Sequence, residues 1–230
     1  MDPRDLIVIH EDNHLLAVVK PANVLVQGDR TGDPTLLDAA RAYLKQKYDK
    51  PGNVYIGLVH RLDRPVSGVV LLARTSKAAS RLSAQFRDGT VRKTYLAVTE
   101  GAPAVDAGEL AHHLAGQGDA HGVTRAEATP FPGSKPARLR FRVLDRRPDR
   151  ALLEVDLITG RRHQIRAQLA LAGCPIRSDV KYGAPRRTSP SGIALHAWRL
   201  EVTHPVGGAP VILVAEPPPD WPWPERRGAS

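Results

Sequence analysis

Residues 60–73, His-Arg-Leu-Asp-Arg-Pro-Val-Ser-Gly-Val-Val-Leu-Leu-Ala, place a short polar motif directly before an apolar run. The run is far too short to span a membrane and is typical of a buried strand. The motif sets Asp63 between Arg61 and Arg64. A carboxylate near guanidinium groups stays ionised, because opposite charge favours the anionic form. Taken alone, Asp63 is either a member of a structural ion pair or a nucleophile or base.

The segments before and after this stretch show strand and helix patterns. Two β-prone runs, 6–10 and 15–20, surround a polar tetrapeptide and predict a hairpin. Thr35 followed by Asp38 is typical of a capping box, so a helix is expected to start there. Further helices are predicted at 76–89, capped by Ser76, and at 163–172, and further strands at 68–74, 93–100, 137–145, 151–158, 195–202 and 211–215.

The organisation of the chain favours a single domain. Residues 5–215 show no change of composition and no internal repeat. Because the strands are mostly connected locally, with a few helices inserted, we expect an α+β fold around a mixed, largely antiparallel sheet. Residues 101–136, rich in Gly, Ala, Pro and His, are predicted to be an irregular insertion. The Pro-rich tail, 217–230, is expected to be either a disordered end or a docked arm.

Composition restricts the partners and the compartment. The chain has 230 residues, with 33 Lys and Arg against 24 Asp and Glu and a net charge of +9, which favours a polyanionic partner such as nucleic acid. Cys174 is the single cysteine, which excludes an internal disulfide and favours a reducing, cytoplasmic compartment. No signal peptide or membrane span is apparent. The chain has no HExxH motif, and His112 and His113 are predicted in a solvated loop, so we expect no metal.

Several common catalytic signatures are absent. There is no GxxxxGK[ST] motif and no complete GxGxxG motif. Residues 60–63 look superficially like a kinase catalytic loop, but the asparagine expected five residues after Asp63 is missing. Ser67 lacks the glycine two residues earlier that a nucleophile elbow requires, since Pro65 stands there. These absences argue against phosphoryl transfer and against a serine hydrolase.

Two further segments concentrate positive charge. In residues 160–166, Gly-Arg-Arg-His-Gln-Ile-Arg, the side chains of Arg162 and Arg166 are four apart and predicted on one helix face, where a guanidinium could reach Asp63. In the strand 137–145, alternation puts three arginines on one face. Contact with phosphates or a solvated sheet face would give the same pattern. The three residues are Arg138, Arg140 and Arg142.

Five short motifs follow one another in a fixed order. They are residues 60–68, Lys-Thr-Tyr at 93–95, residues 160–166, Asp179 with Tyr182 and Gly183, and Ala-Leu-His-Ala at 194–197. In order and spacing they resemble the RluA-type RNA pseudouridine synthases, from about residue 12 to residue 214. The resemblance implies the pseudouridine synthase fold, with flanking helices and a central catalytic cleft.

This resemblance implies an isomerase that converts specific uridines to pseudouridine in ribosomal or transfer RNA without a cofactor. Asp63 would be the catalytic aspartate, which either attacks the ribose anomeric carbon or first removes a ribose proton. Tyr95 would lie against the uracil and is a candidate for removing the final ring proton, and Arg166 would pair with Asp63. Arg61 would fill the gap left by the flipped nucleotide. The predicted RNA-binding residues are Arg61, Arg64, Lys93, Arg138, Arg140, Arg142, Arg161 and Arg162.

The remaining expectations concern the scaffold and the extent of the protein. Val66 stands where the family often has threonine, so we expect altered local hydrogen bonding without loss of activity. The catalytic domain is predicted to cover residues 1–216, without an N-terminal accessory RNA-binding domain, and the protein is expected to be a monomer. The residues interpreted as scaffold are Leu62, Ser67, Gly68, His163 and Ile165, with Gly68 meeting a tight backbone requirement.

Two other functions remain open from the residues. A non-catalytic RNA-binding protein on the same fold would explain the charge, although Asp63, Tyr95 and Arg166 together argue against it. A hydrolase of glycosidic bonds would need two carboxylates. Asp179 is left open as the second.

Overall fold

The computed structural model describes residues 3–29, 31–116, 122–188 and 192–223. They fall into two compact units, one made of the chain up to Lys93 with Ala197–Glu216 and the other of Thr94–His196 with the segment from Pro217. The strands are β1 Ile7–Glu11, β2 Leu15–Lys20, β3 Gly57–Leu58, β4 Ser67–Ala73, β5 Arg92–Glu100, β6 Ala107–Gly116, β7 Thr124–Glu127, β8 Lys135–Arg147, β9 Arg150–Leu157, β10 Leu195–Thr203 and β11 Pro210–Val214. The α-helices are α1 Leu36–Lys47, α2 Ser76–Asp88 and α3 Gln164–Leu171, and 3-10 helices cover Pro3–Asp5 and Val180–Tyr182.

The first unit is built around β4, whose seven residues are all buried. Its strands follow the order β1-β2-β4-β10, with β3 also on β4 and β11 also on β10. The predicted hairpin of β1 and β2 is confirmed, and β2 runs antiparallel to β4 with Leu15 opposite Ala73. Leu71 of β4 and Leu82 of α2 belong to one apolar core. The apolar run after the Asp63 motif is therefore the buried strand that the sequence predicts, and it lies between β2 and β10.

Helix capping in the first unit follows the sequence with one shift. The Thr35 side chain accepts from the Asp38 N–H at 3.2 Å and the Asp38 carboxylate accepts from the Thr35 N–H at 3.3 Å, so the capping box of α1 is confirmed. In α2 the N-cap is Thr75, whose Oγ1 accepts from Ala78, and Ser76 is the first helical residue. The prediction of Ser76 as the cap was wrong by one residue, because Thr75 has the extended backbone that an N-cap needs.

The second unit is an antiparallel sheet in the order β5-β9-β8-β6-β7, with α3 packed on β6 and β7. Ala137 of β8 and Ala167 of α3 share a small apolar cluster with Leu114. The pairings β1–β2, β2–β4, β3–β4 and β10–β11 of the first unit and β5–β9, β8–β9, β6–β8 and β6–β7 of the second are antiparallel. The predicted α+β class with a largely antiparallel sheet is confirmed. Within the described residues, no helix is long and apolar enough to cross a membrane.

Residues 101–136 are not the irregular insertion that their composition suggests. They contain β6 and β7, and β6 pairs with β8 from Ala107 opposite Arg142 to Leu114 opposite Lys135. His112 lies on β6 and its Nδ1 is 3.2 Å from the Gln168 Nε2 atom, so the predicted solvated loop was also wrong there. Glycine, alanine and histidine give a weak strand signal, and β6 is stabilised by its long pairing with β8.

The C-terminal segment is a docked arm as far as the structure describes it. Trp223 is buried, with the guanidinium carbons of Arg147 and Arg150 at 4.5 and 5.8 Å from its ring. The ring of Trp221 meets His196 edge-on at 5.8 Å. These contacts anchor residues 217–223 to the second unit. The rest of the predicted tail, 224–230, lies outside the described residues.

Candidate active site

Asp63 lies in the loop between β3 and β4. Within this loop the side chains of Leu62 and Val66 are buried, those of Arg61 and Arg64 are exposed, and Asp63 is half-buried. The Val66 N–H donates to the Asp63 carbonyl at 3.1 Å and closes a turn. Two apolar side chains therefore anchor the loop on either side of the half-buried Asp63.

The buried side chain of Lys20 binds the backbone of the Asp63 loop. Lys20, at the end of β2, is fully buried, and its Nζ donates to the carbonyls of Pro21 and Val24 at 2.8 Å each and of Arg64 at 3.0 Å. Burial lowers the pKa of Lys20 to about 7, and the negative charge of Asp63 opposes that shift. The Lys20 ammonium thus ties the Asp63 loop to the turn after β2 and contributes a positive charge near the carboxylate.

Arg64 also joins the Asp63 loop to the turn after β2, through both its backbone and its side chain. The Asn23 N–H donates to the Arg64 carbonyl at 2.7 Å, and the Arg64 Nε donates to the Asn23 carbonyl at 3.1 Å. Its Nη2 also bonds to Asp33 at 2.8 Å. The guanidinium predicted to bind RNA therefore already braces the loop, although it is exposed.

His60 fixes the start of the loop as a neutral imidazole. Its Nε2 accepts a hydrogen bond from the Leu71 N–H at 2.9 Å, and its ring stacks on Phe86 with centroids 4.8 Å apart. Burial, and secondarily the charge of Lys93, lower the pKa of His60 to about 4. Because Nε2 is the acceptor, the proton is assigned to Nδ1. The imidazole thus binds the backbone of β4 at Leu71, one residue from the position that pairs with the end of β3.

Gly68 meets the tight backbone requirement predicted for it. Its φ is +122°, and a Cβ built there would lie 2.2 Å from the carbonyl oxygen of Ala197. No other residue can occupy this position without displacing the chain. Gly68 is opposite Lys20 in the pairing of β2 with β4, so the close approach occurs next to the lysine that holds the loop.

The Lys-Thr-Tyr motif lies at the start of β5. Thr94 is buried and its Oγ1 donates to the Asp156 carboxylate at 2.7 Å. Tyr95 is half-buried opposite Val155 of β9. Lys93 is also partly buried, and desolvation lowers its pKa.

Arg166 is buried inside the second unit. Its Nε donates to Asp179 Oδ2 at 2.7 Å and its Nη2 to Asp179 Oδ1 at 2.8 Å. The guanidinium carbon lies 4.8 Å from the centroid of the Tyr182 ring. A surface charge on a helix, the ordinary interpretation of this arginine, is therefore wrong. Asp179, left open as a second catalytic carboxylate, is 1% exposed and paired with Arg166.

Arg162 and Arg166 do not share a helix face, and that prediction was wrong. The helix begins at Gln164, because His163 adopts a left-handed conformation with φ of 52°. Arg162 therefore precedes α3 and is exposed, whereas Arg166 is buried. Ala172 follows the last helical residue and is exposed.

Gln164 holds the turn before α3. Its Oε1 accepts from the Thr159 hydroxyl at 2.8 Å and the Arg161 N–H at 2.9 Å, and its Nε2 donates to the Arg138 carbonyl at 3.0 Å. Arg161 is exposed and its Nε donates to the Pro136 carbonyl at 3.2 Å. The basic motif is thereby fixed onto β8.

The arginine row of β8 comprises Arg138, Arg140 and Arg142, and all three side chains are exposed on one face as predicted. Each contacts a carboxylate. Arg138 and Arg140 contact Glu109 at 2.7 and 3.2 Å, and Arg142 contacts Glu154 at 3.1 Å. The two arginines lower the pKa of Glu109. The row therefore combines three positive charges with two negative ones.

The structure thus groups the predicted site residues within each unit. In the first unit Asp63, Arg61 and Arg64 share one loop, and in the second Arg161 and Arg162 precede the helix that carries Arg166. The ion pair between Asp63 and Arg166 stays a prediction. Among the described residues, no group of three or more His, Cys, Asp or Glu side chains is arranged to hold a metal. Sequence reasoning missed Lys20, Asn23 and Gln164; the one available signal was a lysine ending an apolar strand directly before a proline.

Comparison with known proteins places these features in a family. Residues 14–171 match the model of the RNA pseudouridylate synthase family. The chain is 36% identical over 229 residues to ribosomal large subunit pseudouridine synthase D of Nitrosomonas europaea, covering 93% of this chain and 62% of that protein. It is 33% identical to an uncharacterised RNA pseudouridine synthase of Bacillus subtilis, covering 95% of this chain and 71% of that protein.

A solved structure gives the same answer. The structure of human RNA pseudouridylate synthase domain containing 4 superimposes with a TM-score of 0.77 at 25% identity, covering 93% of this chain and 89% of that one. The chain spans less than two thirds of the length of the Nitrosomonas relative. The family match over residues 14–171 includes both the Asp63 loop and the segment with Arg166, and the predicted family resemblance is confirmed. The chain therefore belongs to the RNA pseudouridylate synthase family.

Proposed function

We propose that this protein is an RNA pseudouridine synthase, an isomerase that converts specific uridines of ribosomal RNA to pseudouridine. The observation that carries the proposal is the family match over residues 14–171, which contains Asp63, Tyr95 and Arg166 in one stretch. Both units together would then form the catalytic domain predicted over residues 1–216. The active site would be the central cleft that the family resemblance implies.

The reaction rearranges one nucleotide without adding or removing atoms. The bond between the uracil nitrogen and the ribose anomeric carbon breaks, the uracil turns over, and a ring carbon bonds to the same ribose carbon. That ring carbon loses its proton and the released nitrogen gains one. The chemistry thus requires a carboxylate for the ribose step and a group that removes the ring proton, and both are side-chain functions.

Asp63 is the carboxylate proposed for the ribose step. Its loop is fixed by the Lys20 ammonium at the Arg64 carbonyl and by the His60 imidazole at Leu71. A fixed backbone keeps the carboxylate in one position relative to a bound ribose, which favours catalysis. The guanidinium of Arg166, where it pairs with Asp63, would hold the carboxylate in position for attack or for proton removal.

Tyr95 is proposed as the base that removes the ring proton, and Arg61 as the residue that fills the gap left by the flipped nucleotide. The Tyr95 ring would lie against the uracil, and its hydroxyl is proposed to take the final ring proton. Arg61 is exposed, as expected of a residue that enters the RNA. Flipping a nucleotide costs a few kcal/mol, and a guanidinium in the gap would offset part of that cost.

The proposed substrate class follows from the relatives. The Nitrosomonas relative is named as acting on the large ribosomal subunit. We therefore favour ribosomal RNA over transfer RNA, and the cytoplasm as the compartment. Pseudouridine mapping of total RNA, with and without the protein, tests this choice, because a site lost only from transfer RNA would contradict it.

The test of the reaction is Asp63→Asn, which keeps the size of the side chain and removes both nucleophile and base. The assay substrate is ribosomal RNA from cells that lack the protein. We expect Asp63→Asn to form no detectable pseudouridine at the uridine that the wild type modifies, while its RNA affinity and melting temperature stay close to those of the wild type. Asp88→Asn, an exposed carboxylate at the end of α2, is the matched control and should retain full activity.

The products separate this function from the two others. A wild-type product of unchanged mass supports the isomerase, whereas free uracil would indicate a hydrolase. RNA binding with neither product would indicate a non-catalytic RNA-binding protein. Normal conversion by Asp63→Asn would show that the site assignment is wrong.

A further inference from the structure

The ion pair of Arg166 with Asp179 is buried on both sides. The two side chains are 5% and 1% exposed, and two parallel hydrogen bonds join them at 2.7 and 2.8 Å. This two-point contact fixes the plane of the guanidinium as well as its position. A single contact would fix the position alone.

The ring of Tyr182 supports the same guanidinium from one face. The Tyr182 hydroxyl accepts from the Thr124 N–H at 2.8 Å and lies 2.8 Å from the Nδ1 atom of His163. The ring is therefore held by β7 and by the turn before α3. Asp179 directly precedes the 3-10 helix that contains Tyr182, so one short segment supplies both contacts to Arg166.

Stability alone is a weak reason for this arrangement. Removing two charges from water is costly, and apolar side chains of similar volume are often as stabilising as a buried ion pair. A guanidinium carries five N–H groups and Asp179 takes two of them. The same side chain can therefore pair with a second carboxylate while Asp179 holds it.

We propose that Asp179, together with the Tyr182 ring, is a positioning residue that holds Arg166 in the orientation needed to pair with Asp63. The inference rests on the proposed function, in which Asp63 is the catalytic carboxylate. Asp179 itself does not touch the substrate. This assignment replaces its possible role as the second carboxylate of a hydrolase.

The first test is Asp179→Asn, assayed for pseudouridine formation on a transcript carrying the mapped uridine. An amide cannot accept two charge-assisted bonds, so we expect kcat to fall at least about 30-fold while KM changes less than about threefold. Asp106→Asn is the control, because Asp106 pairs with Arg146 in the same unit but is 86% exposed. It should leave kcat unchanged.

A double-variant cycle separates positioning from general structural support. If Asp179 acts through Arg166, adding Asp179→Asn to Arg166→Lys should cause little further loss of kcat. If the double variant loses kcat by the product of the two single losses, the proposal is wrong. Wild-type kcat in a folded Asp179→Asn protein would also overturn it. If that variant does not fold, Asp179→Glu replaces it, since it keeps the charge and shifts the carboxylate by one methylene. Wild-type kcat in Asp179→Glu would then reject the inference.

The outcomes also distinguish this inference from the proposed function. An inactive wild-type protein contradicts the proposed function. An active wild type with an inactive Asp63→Asn variant and fully active Asp179 variants contradicts only the role of Asp179.

Discussion

Arg166 and the arginine row of β8 carry the same side chain in the same unit but are held in different ways. Arg166 is buried, with its guanidinium fixed by Asp179 and the Tyr182 ring. The row is exposed, and its pairs with Glu109 and Glu154 are open to solvent. Exposed ion pairs contribute about 0–1 kcal/mol and are screened by salt.

This difference in burial indicates that Arg166 and the arginine row have different electrostatic roles. A buried, fixed guanidinium can act on one particular carboxylate, because its direction is set by the protein. An exposed row can attract a polyanion from any direction but cannot orient a single atom. We therefore expect substitutions at Arg166 to affect turnover and substitutions in the row to affect binding.

Among the arginine substitutions, the largest expected effect is that of Arg166→Lys. Lysine keeps the charge but cannot make the planar two-point contact, so kcat should fall about 100-fold, equivalent to about 2.7 kcal/mol. Arg140→Lys makes the same change in the row and should keep kcat within about twofold. Single-turnover measurements at saturating RNA give both values. Equal losses in the two variants would remove the distinction between fixed and exposed arginines.

Lys20 extends the comparison to a buried cation of the first unit. Its pKa falls from 10.5 to about 7 on folding, so between these pH values the unfolded state binds more protons. The stability of the wild type should therefore rise with pH in this window relative to Lys20→Met, by at most about 1.4 kcal/mol per pH unit. Below pH 7 both states hold the proton and the difference should be constant.

Urea unfolding from pH 6 to 10 measures this contribution of Lys20. The exposed Lys77→Met variant is the control and should follow the wild type at each pH. A constant difference between wild type and Lys20→Met across the window would show that Lys20 is not buried as an amine of lowered pKa.

Arg61 is exposed, like the arginine row, but is proposed to have one specific role. If it fills the gap left by the flipped uridine, Arg61→Ala should lower turnover about tenfold on folded RNA and much less on an unstructured fragment, which has little stacking to replace. Rates on the two substrates under single-turnover conditions decide the matter. Similar losses on both would point instead to a role in holding Asp63.

The smallest effect is expected for the arginine row itself. Replacing Arg138, Arg140 and Arg142 by glutamine should weaken RNA binding about threefold at moderate salt and leave saturated turnover unchanged. The slope of log affinity against log salt should become shallower by about one to two, because fewer counterions are released. Titrations across a salt series provide the slope. An unchanged slope would show that the row faces away from the RNA.

The parts predictable from sequence are those whose signals are local. The capping box of α1 and the buried strand β4 depend on residues that are close together in the sequence, and both are confirmed. The burial of Arg166 depends on Asp179, 13 residues later, and on Tyr182. The start of α3 depends on the left-handed backbone of His163. Such features arise from tertiary packing, which outweighs local preference.

Lys20 shows the same limit at the proposed active site. Its three acceptors are backbone carbonyls, and backbone groups leave no trace in a sequence. The Asp63 motif could be identified because the resemblance joins residues that are far apart in the chain. The groups that hold the motif in place became visible only with the fold.

The division of the chain also affects the order in which the protein is synthesised. The first unit is completed by residues 197–216, so roughly 100 residues of the second unit leave the ribosome before β10 can pair with β4. At about 5–20 residues per second, this delay is roughly 5 to 20 seconds. During that time the part of β4 that pairs with β10 lacks its partner strand, and unpaired strand edges promote aggregation. We therefore expect newly made chains to depend on chaperones until β10 emerges.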